Sequence, residues 1–323
     1  MSEAKRLAAV QGVRKPPLSL VVCVPARNEA DRLPALLEAI AAQDWPDSIC
    51  ISIAVNNTTD DSLQKIATGR ARHAGRLDIR VAIADFPTGF AHAGSARRLA
   101  MTEGLRLLPH LDKGVLVSTD ADARPPADWL RNIAAAFVRG ADLVGGKIMI
   151  DEEREPLPEA VARLRQAWDR YWARVRDIED SIDPVAWDPA PRHGDHSGAS
   201  LAIRAELYLA CGGIPLVATG EDLALVRAAV AQGGRLAHPA NVSVRVSPRT
   251  DGRAEGGMAA AMRDLHLAAQ CAAAPMAPAF RHWAERASWR RQVRLGADGH
   301  AGIARRESSL PAMPHDMPLE DGR

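Results

Sequence analysis

Short apolar runs alternate with amphipathic stretches through the first half of the chain, and that alternation restricts it to one class of fold. Residues 18–24, 49–55, 77–83 and 115–118 are aliphatic runs of the kind that make buried strands. Between them, residues 31–42 carry Leu33, Leu36, Leu37 and Ile40 at helical spacing. Residues 61–72, 93–108 and 127–139 read as further helices, and 141–150 as a fifth strand with Gly145-Gly146 inside it. Strands separated by helices imply right-handed βαβ crossovers and a mostly parallel sheet. The expectation is an α/β fold: a mostly parallel central sheet flanked by helices, with ligands at the carboxyl ends of the strands.

The pattern changes after Asp151. Residues 159–180 form one helical stretch with Leu164, Trp168, Tyr171, Trp172 and Val175. At that spacing the three aromatics read as core packing, with stacking on a sugar as the alternative. A loop rich in Pro, Asp and His follows over 183–197, then a strand at 200–203 and helices at 205–211 and 221–232. The expected organisation is an N-terminal extension (1–17), an α/β unit (18–250) divided near residue 150, and a helical, Arg-rich C-terminal extension (251–304). A disordered tail (305–323) is expected after it, with little to bury.

The net charge of +1 offers no global field for nucleic acid or an acidic membrane surface. No run reaches the roughly 20 apolar residues of a membrane helix, so no membrane span is expected. Cys23, Cys50, Cys211 and Cys271 lack a Cys-x-x-Cys spacing and read as packed thiols. These features, with no apolar leader, point to a cytoplasmic enzyme.

Five polar clusters carry the candidate chemistry, and most follow a strand. Pro25-Ala26-Arg27-Asn28-Glu29 sets a guanidinium and two acceptors above the sheet edge, which suits a base and ribose, or simply a turn and helix cap. Asn56-Asn57-Thr58-Thr59-Asp60-Asp61 either binds a base edge or caps a helix. His92-Ala93-Gly94-Ser95-Ala96-Arg97 opens a helix whose N-terminus and nearby Arg favour phosphate, or whose small residues pack closely. Asp120-Ala121-Asp122 places two carboxylates where a strand runs out, suited to a hard divalent cation that also holds phosphate. Finally, Gly198-Ala199-Ser200 precedes Gly212-Gly213 and Gly220-Glu221-Asp222, where Asp222 stands about where a general base faces a substrate hydroxyl. Neither a Walker loop nor a dinucleotide fingerprint is present.

Together, in this order, these clusters resemble the family 2 glycosyltransferases of the GT-A fold, over roughly residues 18–246. The resemblance implies a nucleotide-sugar donor, a divalent cation (Mn or Mg), and transfer to an acceptor hydroxyl with inversion. The acceptor, whether a sugar, a lipid-linked species or another small molecule, stays open. By the resemblance Pro25, Arg27, Glu29, Asn56, Asn57, His92 and Arg97 face the donor. Asp122 is the main metal ligand, and Asp120 touches ribose, sugar or metal-bound water. Asp222 is the catalytic base, supported by Glu221.

The chain departs from the family pattern in two places. Asn56 and Asn57 stand where many members carry Asp. The stretch 241–249 lacks a late metal-binding His, leaving His238 just before it as the substitute. Arg245 or Arg249 can instead hold a diphosphate, and Ser197 and Gly198 are further acceptor or phosphate candidates. In the 183–197 loop, His193 and His196 suggest a transition-metal site, though an acceptor-site loop is the preferred reading. A sugar-phosphate nucleotidyltransferase is disfavoured because residues 25–29 are not a Gly-rich loop. A non-catalytic nucleotide-sugar-binding protein is disfavoured because both Asp122 and Asp222 are present.

Overall fold

The computed structural model describes residues 18–252, 257–271, 274–297 and 299–319. In the first half, β1 (Ser19–Ala26), α1 (Leu33–Ala41), β2 (Ile49–Asn56), α2 (Ser62–Arg72) and β3 (Leu77–Ala84) alternate. Next come α3 (Ala93–Leu107), β4 (Gly114–Ser118), α4 (Trp129–Val138), β5 (Leu143–Gly145) and β6 (Lys147–Ile150). Beyond them lie α5 (Glu159–Ile182), β7 (Leu201–Arg204), α6 (Ala205–Ala210), α7 (Glu221–Ala231), β8 (Leu236–Ala237) and β9 (Ser243–Val246). The C-terminal part holds α8 (Met258–Gln270), β10 (Met276–Ala277), α9 (Phe280–Leu295), α10 (Gly299–Glu307) and β11 (Met317–Pro318).

Seven strands form one sheet in the order β3-β2-β1-β4-β7-β5-β8. It is mostly parallel, as expected, and β7 alone runs antiparallel to both its neighbours. The near-continuous aliphatic sequences of β1, β2 and β4 suit strands covered on both faces. Successive side chains point to opposite faces. Val22 and Val24 therefore join a core with Leu36 of α1, Ile66 of α2 and Phe137 of α4. Val21 and Cys23 join a second core with Met101 of α3, Tyr208 of α6 and Leu225 of α7. The four cysteines are free, and burial pushes the Cys23 thiol far up.

Residues 141–150, expected as one strand, divide at Gly146. β5 stays in the large sheet, whereas β6 leaves it and pairs in parallel with β9. The glycines permit another segment to cross: a Cβ on Gly145 would lie 2.2 Å from the Asp195 carbonyl oxygen, and one on Gly146 2.1 Å from Ser200 Oγ. The sequence pattern did not single out β8 or β9.

The 24 residues of α5 extend about 36 Å. A third core forms where α5 meets the C-terminal helices through Leu164, Tyr171 and Val175, with Phe280 and Trp283 packed against them. Tyr171 is buried; its hydroxyl donates to the Pro278 carbonyl and accepts from Trp283 Nε1, each at 2.7 Å. Of the tail expected from residue 305, residues 320–323 lie outside the described residues, as does the extension 1–17. The remainder runs from α10 to β11, which pairs with β10, and Leu319 is buried. Among the described residues no helix is long and apolar enough to cross a membrane.

Candidate active site

The topology brings residues of all five polar clusters to one edge of the sheet. Arg27 and Glu29 follow β1, Asn56 ends β2, and Asp120 and Asp122 follow β4. Because β7 is antiparallel to β4, its lead-in residues Ser197 and Gly198 return to that same edge. The N-termini of α3 and α7 add His92, Glu221 and Asp222. A cavity of about 510 Å³ collects these side chains, with Pro25, Arg97 and Arg249 in its wall.

Arg97 organises the floor. Its guanidinium is buried and donates to Glu221 Oε1 (3.0 Å), Asp120 Oδ1 (2.8 Å), Ser118 Oγ (2.7 Å) and the Gly198 carbonyl (2.9 Å). The sequence reading gave Arg97 to donor phosphate; here it is committed to the site's own carboxylates. Those carboxylates hold it charged, its pKa raised against the opposing effect of burial. Gly198 leaves room for it, since a Cβ there would lie 2.3 Å from Arg97 Cζ.

Arg249 plays the matching part across the cavity. It forms a two-pronged pair with Glu29 (3.1 and 3.2 Å) and reaches Asp122 Oδ2 at 3.0 Å. Burial, together with the charges of Asp120 and Glu29, pushes the Asp122 carboxyl up to about 6 even though Arg249 opposes the shift. Asp222 opens α7 after Gly220, whose left-handed backbone (φ +72°) is open to glycine at little strain. Its two oxygens accept from the Gly198 and Leu223 N–H groups, each at 2.7 Å, which fixes the carboxylate beside the Gly198 turn.

Other expected residues are placed differently. Asn57 is absent from the cavity wall. It takes a left-handed backbone (φ +44°), and its amide bonds both the N–H and the carbonyl of Phe86. His92 lines the cavity but also caps α3, accepting from Ser95 N–H at 3.3 Å. Arg245 lies outside, paired with Glu153. His238 does not join Asp120 and Asp122: its Nδ1 faces Asp188 Oδ2 at 2.9 Å and its Nε2 faces His196 Nδ1 at 3.1 Å. Both ring nitrogens are thus taken. Burial, with His238 nearby, pushes His193 down to about 3 and His196 to about 4, so both rings are neutral at pH 7.

Asp120 and Asp122 present hard oxygen donors suited to Mg or Mn. Among the described residues no three His, Cys, Asp or Glu side chains group to hold a metal. The donor set fits a cation shared with a ligand's oxygens, not one caged by protein alone.

A mostly parallel sheet flanked by helices, with this cavity at the carboxyl edge of its strands, is the architecture of the GT-A fold. The family model described as glycosyl transferase family 2 matches residues 21–168. An uncharacterized glycosyltransferase of Mycobacterium bovis is 28% identical over 239 residues, covering 73% of this chain and 89% of the relative. Glycosyltransferase AglE of Haloferax volcanii is 27% identical over 128 residues, 39% of this chain and 38% of its own. Among solved structures, the mannosyltransferase PcManGT of Pyrobaculum calidifontis, in complex with GDP-Man and Mn2+, superposes with a TM-score of 0.51 at 18% identity. That match covers 96% of this chain and 82% of the other. S. aureus TarS 1-349 in complex with UDP gives a TM-score of 0.50 at 15% identity, covering 86% and 71%. At such identities these structures show the shared fold.

Proposed function

We propose that this glycosyltransferase moves a sugar from a nucleoside-diphosphate donor to an acceptor hydroxyl in one inverting displacement. The observation that carries the reading is the pairing, in one cavity, of the Asp120/Asp122 carboxylates with the Asp222 carboxylate, tied together through Gly198 and Arg97. Glu29 and Asn56 face the base and ribose. The acceptor hydroxyl gives its proton to Asp222 as its oxygen bonds the anomeric carbon. The bond from that carbon to the diphosphate oxygen breaks, and its electron pair leaves with the diphosphate. General-base help of this kind contributes about 10²–10⁴-fold.

Asp122 would hold a divalent cation, which would supply Lewis-acid neutralisation of the departing diphosphate; the GDP-Man and Mn2+ of the mannosyltransferase neighbour support that assignment. Asp120, fixed by Arg97, bounds the same space. Glu221, held by the same guanidinium, keeps the first turn of α7 and so Asp222 in place.

The reading is tested by thermal shift with UDP, GDP and their sugars, with and without Mn2+ or Mg2+, since a ligand stabilises the state it binds. Cation-dependent stabilisation by one nucleotide is expected in wild type and is lost in Asp122→Ala. Asp222→Asn is expected to keep that stabilisation while turnover drops about 10²–10⁴-fold. Undiminished turnover in Asp222→Asn removes it as the base.

A further inference from the structure

Each carboxylate of the Asp120-Ala121-Asp122 turn is met by an arginine, and the two arginines are held in different ways. Arg97, with a side chain 5% exposed, bonds Ser118 Oγ and the Gly198 carbonyl as well as its carboxylates, so uncharged partners pin it to the floor. The guanidinium of Arg249, 22% exposed, bonds only carboxylates among the described residues. It meets Glu29 through Nη1 (3.2 Å) and Nη2 (3.1 Å), and Asp122 Oδ2 through Nη2 (3.0 Å). Its main chain is fixed separately: its N–H donates to Ser247 Oγ at 3.2 Å, and that hydroxyl donates to Glu155. Nη2 thus serves two carboxylates, and the contact to Asp122 can be released while the Glu29 fork keeps the guanidinium in the cavity wall. Asp122 is also the residue assigned to the cation, and Mg2+ takes an oxygen ligand at about 2.0–2.1 Å. A guanidinium 3.0 Å from that carboxylate repels a doubly charged ion on it, in a wall that water screens poorly.

We infer that Arg249 is a gate on the cation: it withholds Asp122 from a divalent ion, and releases it when the donor's diphosphate gives the guanidinium another anion to hold. The inference rests on the glycosyltransferase reading and adds a control of the same site to it. A guanidinium anchored on Glu29 and turned from Asp122 presents an N–H that suits a diphosphate oxygen. Release of Asp122 and capture of the diphosphate are one exchange, so cation and nucleotide bind with positive coupling. That coupling is reciprocal, each raising the other's affinity by the same factor. Arg97 takes no part in the exchange, because Ser118 and Gly198 hold it whatever its carboxylates do.

The test uses the full chain and Mn2+, whose free-ion spin-resonance signal is lost on binding. Without nucleotide, Arg249→Gln is expected to bind Mn2+ about tenfold tighter than wild type or more. Adding Asp122→Ala to that variant is expected to abolish the gain, which places the ion on Asp122. Circular dichroism checks that the variants fold. Wild type carries a second arm that needs no variant: UDP or GDP is expected to tighten its Mn2+ binding about tenfold or more, beyond the nucleotide's own affinity for the ion. Equal Mn2+ affinity in wild type and Arg249→Gln overturns the inference, as does wild type that binds Mn2+ as tightly without nucleotide as with it. Stabilisation of wild type by a nucleotide sugar then leaves the glycosyltransferase reading standing. If no nucleotide or nucleotide sugar stabilises wild type, it is that reading which falls, and the comparison made without nucleotide still decides whether Arg249 competes for Asp122.

Discussion

At the residue scale the decisive group is Asp122, which the fold holds against its own chemistry. Its carboxyl rises from 3.8 to about 6 because burial and the charges of Asp120 and Glu29 outweigh Arg249. Between about pH 4 and pH 6 the folded chain therefore binds more protons than the unfolded chain, so stability falls as pH rises through that window. Without cation or nucleotide, Asp122→Asn is expected to stabilise the protein above pH 6, by up to about 3 kcal/mol, and to have little effect below pH 4. Urea unfolding at pH 4 and pH 8 measures this. A destabilised Asp122→Asn at pH 8 would mean that its bond to Arg249 dominates instead. The nucleotide-dependent stabilisation, which needs the charged form, is expected to weaken below pH 6. The place of Asp122 at the sheet edge was legible in the sequence because the apolar strand Gly114–Ser118 runs out just before it. Its coupling to Arg249 and Glu29 was not, because those two residues are 220 positions apart and meet only through the sheet edge.

Among the elements, the turn that opens β7 matters most, since it links both halves of the site. Gly198 gives its N–H to Asp222 and its carbonyl to Arg97 and Ser118. Gly198→Ala sets a methyl 2.3 Å from a guanidinium that its four partners keep from moving. Overpacking of this kind costs about 1–3 kcal/mol. The variant is expected to lose more turnover than donor affinity, because Asp222 and Asp120 shift relative to each other; comparing kcat with the nucleotide-dependent thermal shift checks it. Equal loss of both would place the fault in donor binding. Periodicity exposed the long elements, such as α1 with Leu33, Leu36, Leu37 and Ile40. It did not show that Gly145-Gly146 breaks a strand, because what crosses there is the distant segment around Asp195 and Ser200. β8 and β9 are too short to carry a pattern, and their partners set them.

For the whole molecule, the question is what the C-terminal helices do for a domain that already has two cores. They clamp α5, and α5 lines a cavity of about 370 Å³ with Arg165, Trp168, Trp172 and Arg176. The clamp centres on Glu179, whose side chain is 5% exposed and meets Arg176 at 2.8 Å, Arg192 at 3.2 Å and Arg290 of α9 at 2.7 Å. Asp183 takes Arg294 of the same helix at 2.8 Å, one turn further on. Arg192 also pairs with Asp180 and Asp188, and Arg290 with Glu307, so replacing Glu179 leaves Arg176 as the guanidinium that loses its carboxylate outright. Glu179→Gln keeps the shape and removes only the charge, so it is expected to cost about 3–5 kcal/mol in urea unfolding. The loss should fall on α5 and α9: faster amide exchange there, with the sheet and the nucleotide-dependent thermal shift unchanged. If Glu179→Gln unfolds at the wild-type urea midpoint, the C-terminal helices are held by the apolar contacts of Tyr171, Phe280 and Trp283 alone, and the charged hub contributes no net stability.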